Sequence, residues 1–269
     1  MFEFSEQELE SVSLLEAALA LNAAIVPATQ TIWVKQKLEL MLADLNDKLA
    51  MESNEQLRLE GLLRVFYKEW NFRGDIHQFF DSESAFIDKV LERQQGIPVS
   101  LGALLVYFGQ KLDLPIKAVA FPTQLVVKVD WRDRESVFIN PLNGEFISQR
   151  ILRGWLIGQK GPTAELAEEH LESSDNSTII GRWLAVIKSA FLREENYTNA
   201  LRCSELALSF SPDDPYEIRD RGYIFQQLDC DWVAVSDYEY FIEQCPDDPA
   251  AELLKIQVKV LTAQEPTFH

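Results

Sequence analysis

The tightest constraint in this 269-residue chain is a period. SPDDP at 211–215 returns as CPDDP at 245–249, 34 residues later. Proline and aspartate clusters of this kind mark where helices stop and start, and their return at that interval predicts repeated pairs of helices. The repeat ending at Pro212 sets Leu184, Ile187, Phe191, Ala200 and Ala207 at the packing positions of such a pair. The repeat ending at Pro246 sets Ile218, Gly222, Phe225, Ala234 and Tyr238 at matching positions. The small residues let paired helices approach, and the large ones fill the space between them. In each PDDP the second Asp, Asp214 or Asp248, is placed to cap the next helix, and the following Pro suits its first position. Asp214 with Glu217 extends this toward a capping box.

Thirty-four residues is the tetratricopeptide period, so the sequence predicts two such repeats and a last helix, AELLKIQVKVL, within 178–269. Each repeat buries its face on a neighbour. The array then either offers a groove to a peptide or protein or has that groove filled by its own chain.

Charge separates the same region from the rest. Residues 1–161 carry 17 basic and 22 acidic side chains, net −5, whereas 162–269 carry 8 and 21, net −13. That balance speaks against nucleic acid as a partner, since phosphate binding needs clustered Lys and Arg. It suits a solvated acidic surface or a docking face for a basic partner. No apolar run approaches the ~20 residues of a membrane span, and MFEFSEQELES lacks the basic start and apolar stretch of a signal peptide. The expectation is a soluble, cytoplasmic protein with no membrane partner. Cys203, Cys230 and Cys245, with His77, His170 and His269, show no metal-ligand spacing, so neither a metal nor another cofactor is expected.

The first two-thirds change character midway. Residues 5–22 and 30–51 read as amphipathic helices, and 1–52 as helices packing on the core. A third helix runs from Ser53, which with Gln56 resembles a capping box, to about Trp70, where NFRGD breaks it. AFIDKVLER is a short helix and PVSLGALLVYFGQKL a longer, buried one. IKAVAF, QLVVKVDW and SVFIN then read as short antiparallel strands, NPLNGE as a turn, and ISQRILRGWLIG as a helix. Helices followed by strands is the α+β pattern. Residues 53–161 are read as one domain and 162–177 as the linker to the repeats.

A buried helix start facing a small antiparallel sheet is where papain-like and transglutaminase-like enzymes keep a nucleophile, with base and orienting acid on adjacent strands. The stretches in question are VLERQQGIPVSLGALL at 90–105, FPTQLVV at 121–127 and INPLNGE at 139–145. In these motifs and their order, from about residue 53 through 249, the chain resembles the gammaproteobacterial branch of the SirB-type family. That family joins a transglutaminase-like N-terminal domain to C-terminal tetratricopeptide repeats. The resemblance implies Cys, His and Asp at three positions, and all three depart here. Pro98 or Ser100 stands in the Cys place, Gln124 in PTQL in the His place, and Asn140 in INP in the Asp place.

The residues themselves agree. No cysteine precedes residue 203, so this domain has no thiolate, and Gln124 and Asn140 cannot titrate. A Ser nucleophile needs a base, for which His77 in GDIHQFF is the one rescue candidate. Otherwise Pro98 and Ser100 begin and cap the helix, and Gln124 and Asn140 satisfy buried backbone groups or form an uncharged polar pocket. The leading expectation is a non-catalytic interaction or scaffold protein. The alternative is a peptide or amide hydrolase or acyltransferase using Ser100 with His77.

Overall fold

The computed structural model describes residues 6–74 and 81–263. The chain divides into two compact units, Met1–Trp183 and Leu184–His269. The α+β class holds: a largely helical first unit carries a small antiparallel sheet, and the second unit is helical.

The first unit opens with α1 (Glu6–Ser11) and α2 (Leu14–Ile25), where one helix is predicted over 5–22. The break is a capping box: Ser13 Oγ accepts from Glu16 N, and the Glu16 carboxylate accepts from Ser13 N. Then come α3 (Thr31–Leu49) and α4 (Glu55–Arg64). The cap of α4 is Asn54 rather than Ser53, its Oδ1 accepting from the N–H groups of Gln56 and Leu57. α4 runs into a π-helical turn, Val65–Glu69, which widens the helix and leads to Trp70. Phe66 stacks on Phe72 at 4.5 Å, and Trp70 and Phe108 complete an aromatic cluster.

Strands β1 (Arg73–Gly74) and β2 (Gln95–Gly96) form a short parallel pair flanking α5 (Ile87–Arg93). Asn22 is fully buried, and its Oδ1 accepts from Ile87 N at 3.0 Å, capping α5 from another helix. The next helix, α6 (Pro98–Lys111), is the core of the unit. From Pro98 to Gly109 every residue except Tyr107 is buried, as befits a helix apolar all round. It packs on α2, α4 and α5 and on the first two strands of the sheet.

That sheet is a meander of β3 (Ile116–Val119), β4 (Val126–Val129), β5 (Val137–Ile139) and β6 (Phe146–Ile147), all antiparallel. It is followed by α7 (Gln149–Lys160), which begins on Ser148 as N-cap. Leu152 and Leu156 of α7 pack on Val119, Phe121, Val126 and Phe138.

The segment expected to be a linker, 162–177, is not one. Ala164, Leu166 and Leu171 pack on the same cluster as α7, and Ser174 bonds the edge of β3 through Ala118 O and Ala120 N. The first unit continues into α8 (Asn176–Arg193) as far as Trp183, whose indole N–H donates to Ala85 O at 2.9 Å. A period-based reading misses this because polar residues such as Glu168 and Glu169 alternate with the few apolar ones that hold the segment down.

The second unit comprises the rest of α8, then α9 (Tyr197–Phe210), α10 (Pro215–Gln227), α11 (Asp231–Gln244) and α12 (Pro249–Ala263). The 34-residue period is visible atom by atom. Glu195 and Asp229 both adopt φ 57° at the turn within each pair. Asp214 Oδ1 accepts from Tyr216 N, and Asp248 Oδ1 accepts from Ala250 N. The Asp214–Glu217 capping box does not form, because the Glu217 carboxylate accepts instead from Lys188 Nζ and Ser204 Oγ at 2.6 and 2.9 Å. Cys203 is buried, and burial pushes its thiol well above the usual range, so it behaves as a packing residue.

Candidate functional site

The three motifs meet at the start of α6. A Cβ on Gly102 would collide with Leu125 and lie 3.6 Å from Pro141 Cβ, so this glycine is what lets the helix reach both FPTQLVV and INPLNGE. Because β4 and β5 pair with Val127 opposite Ile139, Gln124 and Asn140 flank the same end of the sheet.

Ser100 does not face that end. Pro98 lies four residues before Gly102 and therefore on the same side of the helix. Ser100 is two residues from Gly102, turned about 200° away. Its hydroxyl is fully buried; Oγ accepts from Ile97 N at 3.1 Å and donates to Ser84 O at 2.8 Å. Ile97 is the N-cap and Pro98 the first helical residue. Ser100 thus sits at the third helical position and reaches back to the N-cap N–H, which is the Glu half of a capping box rather than the cap itself. Of the two positions read for a nucleophile, the one turned toward the sheet is Pro98.

Gln124 is half-buried in the bend before β4. Asn140 is occupied by its own turn: Oδ1 accepts from Leu142 N at 3.1 Å, and its carbonyl accepts from Gly144 N at 2.8 Å. This is an Asx turn, a structural use of an amide. Gly144 adopts φ +76°, and a Cβ there would run into the Tyr67 ring.

Tyr67 is the residue sequence reasoning missed. The π-helical turn aims its hydroxyl at Pro141 O, 2.9 Å away, inside the protein. Burial pushes the phenol far above its ordinary range, so it stays protonated and acts as a donor. Gly74 N also donates to Leu142 O at 2.8 Å, fixing the same turn from β1. The available signal was the aromatic run FYKEW ahead of NFRG, which has no obvious helical face to fill.

His77, the rescue base, lies outside the described residues, as does His269. His170 packs edge-on against Phe121 at 6.3 Å between ring centroids, and its Nδ1 accepts from Ala167 N at 3.2 Å. Among the described residues no three His, Cys, Asp or Glu side chains gather as metal ligands. No described helix is long and apolar enough to cross a membrane.

Comparison with known proteins fits this geometry. The transglutaminase-like superfamily matches residues 32–185, more than half the chain, and the tetratricopeptide repeat matches 187–259. A UPF0162 protein of Vibrio cholerae is 54% identical over 262 residues, 97% of each chain. Protein SirB1 of Salmonella typhimurium is 37% identical over 269 residues, covering all of both. The UPF0162 protein YchA of Escherichia coli K12 is 42% identical over 226 residues, 82% of this chain and 84% of the relative. No solved structure matches. With its buried α6 set against a four-stranded meander and its helical pairs on a 34-residue period, the chain belongs to the transglutaminase-like superfamily, in the SirB1 and UPF0162 group that carries tetratricopeptide repeats.

Proposed function

We propose that this is a non-catalytic protein-interaction or scaffold protein of the cytoplasm, whose transglutaminase-like domain is degenerate and whose repeats hold a partner with basic character. The observation that carries the reading is the state of Ser100. Its hydroxyl is buried, donates its one proton to a backbone carbonyl, accepts from a backbone N–H, and faces away from the sheet. Pro98, Gln124 and Asn140, at the positions where an enzyme of this superfamily would hold its machinery, offer neither nucleophile nor proton acceptor.

The second unit supplies the means of binding. A cavity of about 280 Å³ opens among Leu192, Arg219, Tyr223, Tyr238 and Leu254, one or more from each of α8, α10, α11 and α12. Its walls are aliphatic and aromatic apart from Arg219 and Asp220, which pair with each other at 2.7 Å. Such a surface takes an apolar peptide side chain, with a basic neighbour drawn to the acidic unit around it. Residues 184–269 carry 16 acidic and 7 basic side chains.

Affinity capture with the full-length chain tests this against Tyr223→Ser and Leu254→Ser, each checked for an unchanged helical spectrum. Loss of the captured partners in both variants, with recovery falling at higher salt, is the expected result. Undiminished capture by both variants contradicts a partner held in this groove.

A further inference from the structure

The last described helix is apolar on two sides. Toward α11 it buries Ala251 and Leu261 and part-buries Leu254 and Val258. On the opposite side Leu253, Ile256 and Val260 are 70%, 62% and 44% exposed. With Pro249 before them and Ala263 after them, these residues recur at spacings of 4, 3, 4 and 3. That is the heptad seam of a coiled coil, Leu253 and Val260 at a, Ile256 and Ala263 at d. None of the described residues packs on this stripe as α11 packs on the inner one.

The charges beside the seam select its occupant. Glu252 and Lys259 both fall at g, seven residues apart on one flank, and both are exposed. In an antiparallel pair of identical helices, g faces g of the other helix. Two copies of α12 crossing near Ile256 therefore set Glu252 of each opposite Lys259 of the other, twice by symmetry. A parallel pair would set these residues against e, which holds Ala250 and Gln257 and answers neither charge. We infer that α12 is a self-association surface, and that a second copy of this chain packs antiparallel on Leu253, Ile256 and Val260. The contact is isologous, one patch meeting itself across a two-fold axis. It is independent of the groove, which lies on the other side of α12 with Leu254.

The seam is short, and each chain carries a net charge of −18, so the association is weak and is best read at about 0.15 M salt, where the Debye length is about 8 Å. Sedimentation velocity of the full-length chain, from the micromolar to the millimolar range, is expected to show a reversible dimer. Ile256→Asp, a surface change at an exposed position, should leave the chain folded and monomeric throughout. Glu252→Lys and Lys259→Glu singly turn two attractive pairs into two repulsive ones and should each weaken dimerisation about tenfold. The double swap should restore the original constant. A chain that stays monomeric at all concentrations overturns the inference and leaves the stripe to some other helix. So does a dimer that Ile256→Asp does not disturb, or a double swap that fails to restore.

Discussion

Trp183→Ala should destabilise the first unit by about 3–5 kcal/mol, the cost of emptying a fully buried aromatic site. Trp183 has no exposed surface and is among the largest side chains buried in the protein. Its indole N–H donates to Ala85 O, the same carbonyl that Asn22 Nδ2 approaches at 3.5 Å. Truncation therefore leaves both a void and a poorly partnered carbonyl at the start of α5, just where Asn22 caps that helix. Trp183→Phe keeps most of the volume and loses the bond, so it should cost roughly 1–3 kcal/mol. Calorimetry reads both. The unit that responds is the telling feature: by sequence Trp183 lies in the repeats, but in the structure it belongs to the first unit. If only the transition of residues 184–269 moved, the assignment of α8's first half to the N-terminal core would be wrong.

Lys188→Met should be comparably costly in the second unit. The side chain of Lys188 is 8% exposed, and its Nζ lies 2.6 Å from Glu217 Oε1 and 2.7 Å from Asp220 Oδ2. Burial by itself would lower the ammonium's pKa, but the bonds to Asp220 and Glu217 outweigh it and raise the value above 10.5. Methionine fills the space but leaves the Glu217 carboxylate with Ser204 Oγ and Asp220 with Arg219 in place of the shared ammonium. Breaking a fully buried ion pair costs about 3–5 kcal/mol. Here the loss should fall toward the lower end, because Asp220 keeps Arg219, Glu217 keeps Ser204, and both are partly exposed. The sign of the pH dependence follows from the raised pKa. The lysine's contribution is fully present below 10.5, its unfolded value, and is lost as pH climbs through the higher folded value. Urea midpoints for the wild type should thus fall above pH 10.5, while those of Lys188→Met should lack this component. Equal alkaline loss in both proteins would show that the cluster does not carry it.

Much of this architecture was legible in the residues, and what escaped has specific causes. The repeated PDDP was readable because Asp at a cap and Pro at the first helical position are local signals, and both recur in the structure. Strands β3, β4 and β5 were readable from β-branched runs, whereas β1, β2 and β6, two residues each, are too short to show a pattern. Glu217 was misread because a capping-box pattern cannot reveal that a lysine 29 residues away competes for its carboxylate. The segment 162–177 looked like a linker because a cover over a sheet needs only a few apolar contacts, here Ala164, Leu166 and Leu171. At the candidate site the residue types were readable and the facing was not. Only the contact of Gly102 with Leu125 and Pro141 tells that Pro98, not Ser100, is turned toward the sheet. Tyr67 escaped because its aim depends on a π-helical turn, which no periodicity announces.

The decisive measurement concerns Ser100. The folded full-length protein is treated with a fluorophosphonate probe, the adduct is located by peptide mass spectrometry, and Ser100→Ala is run beside it with a stability curve for each. No adduct at Ser100 is expected, and Ser100→Ala should lose about 1–2 kcal/mol, because Ile97 N–H and Ser84 C=O are left buried with only their long 3.4 Å bond to each other. An adduct on Ser100, abolished in Ser100→Ala while stability stays unchanged, would contradict a structural role for this hydroxyl and return the domain to the enzymes.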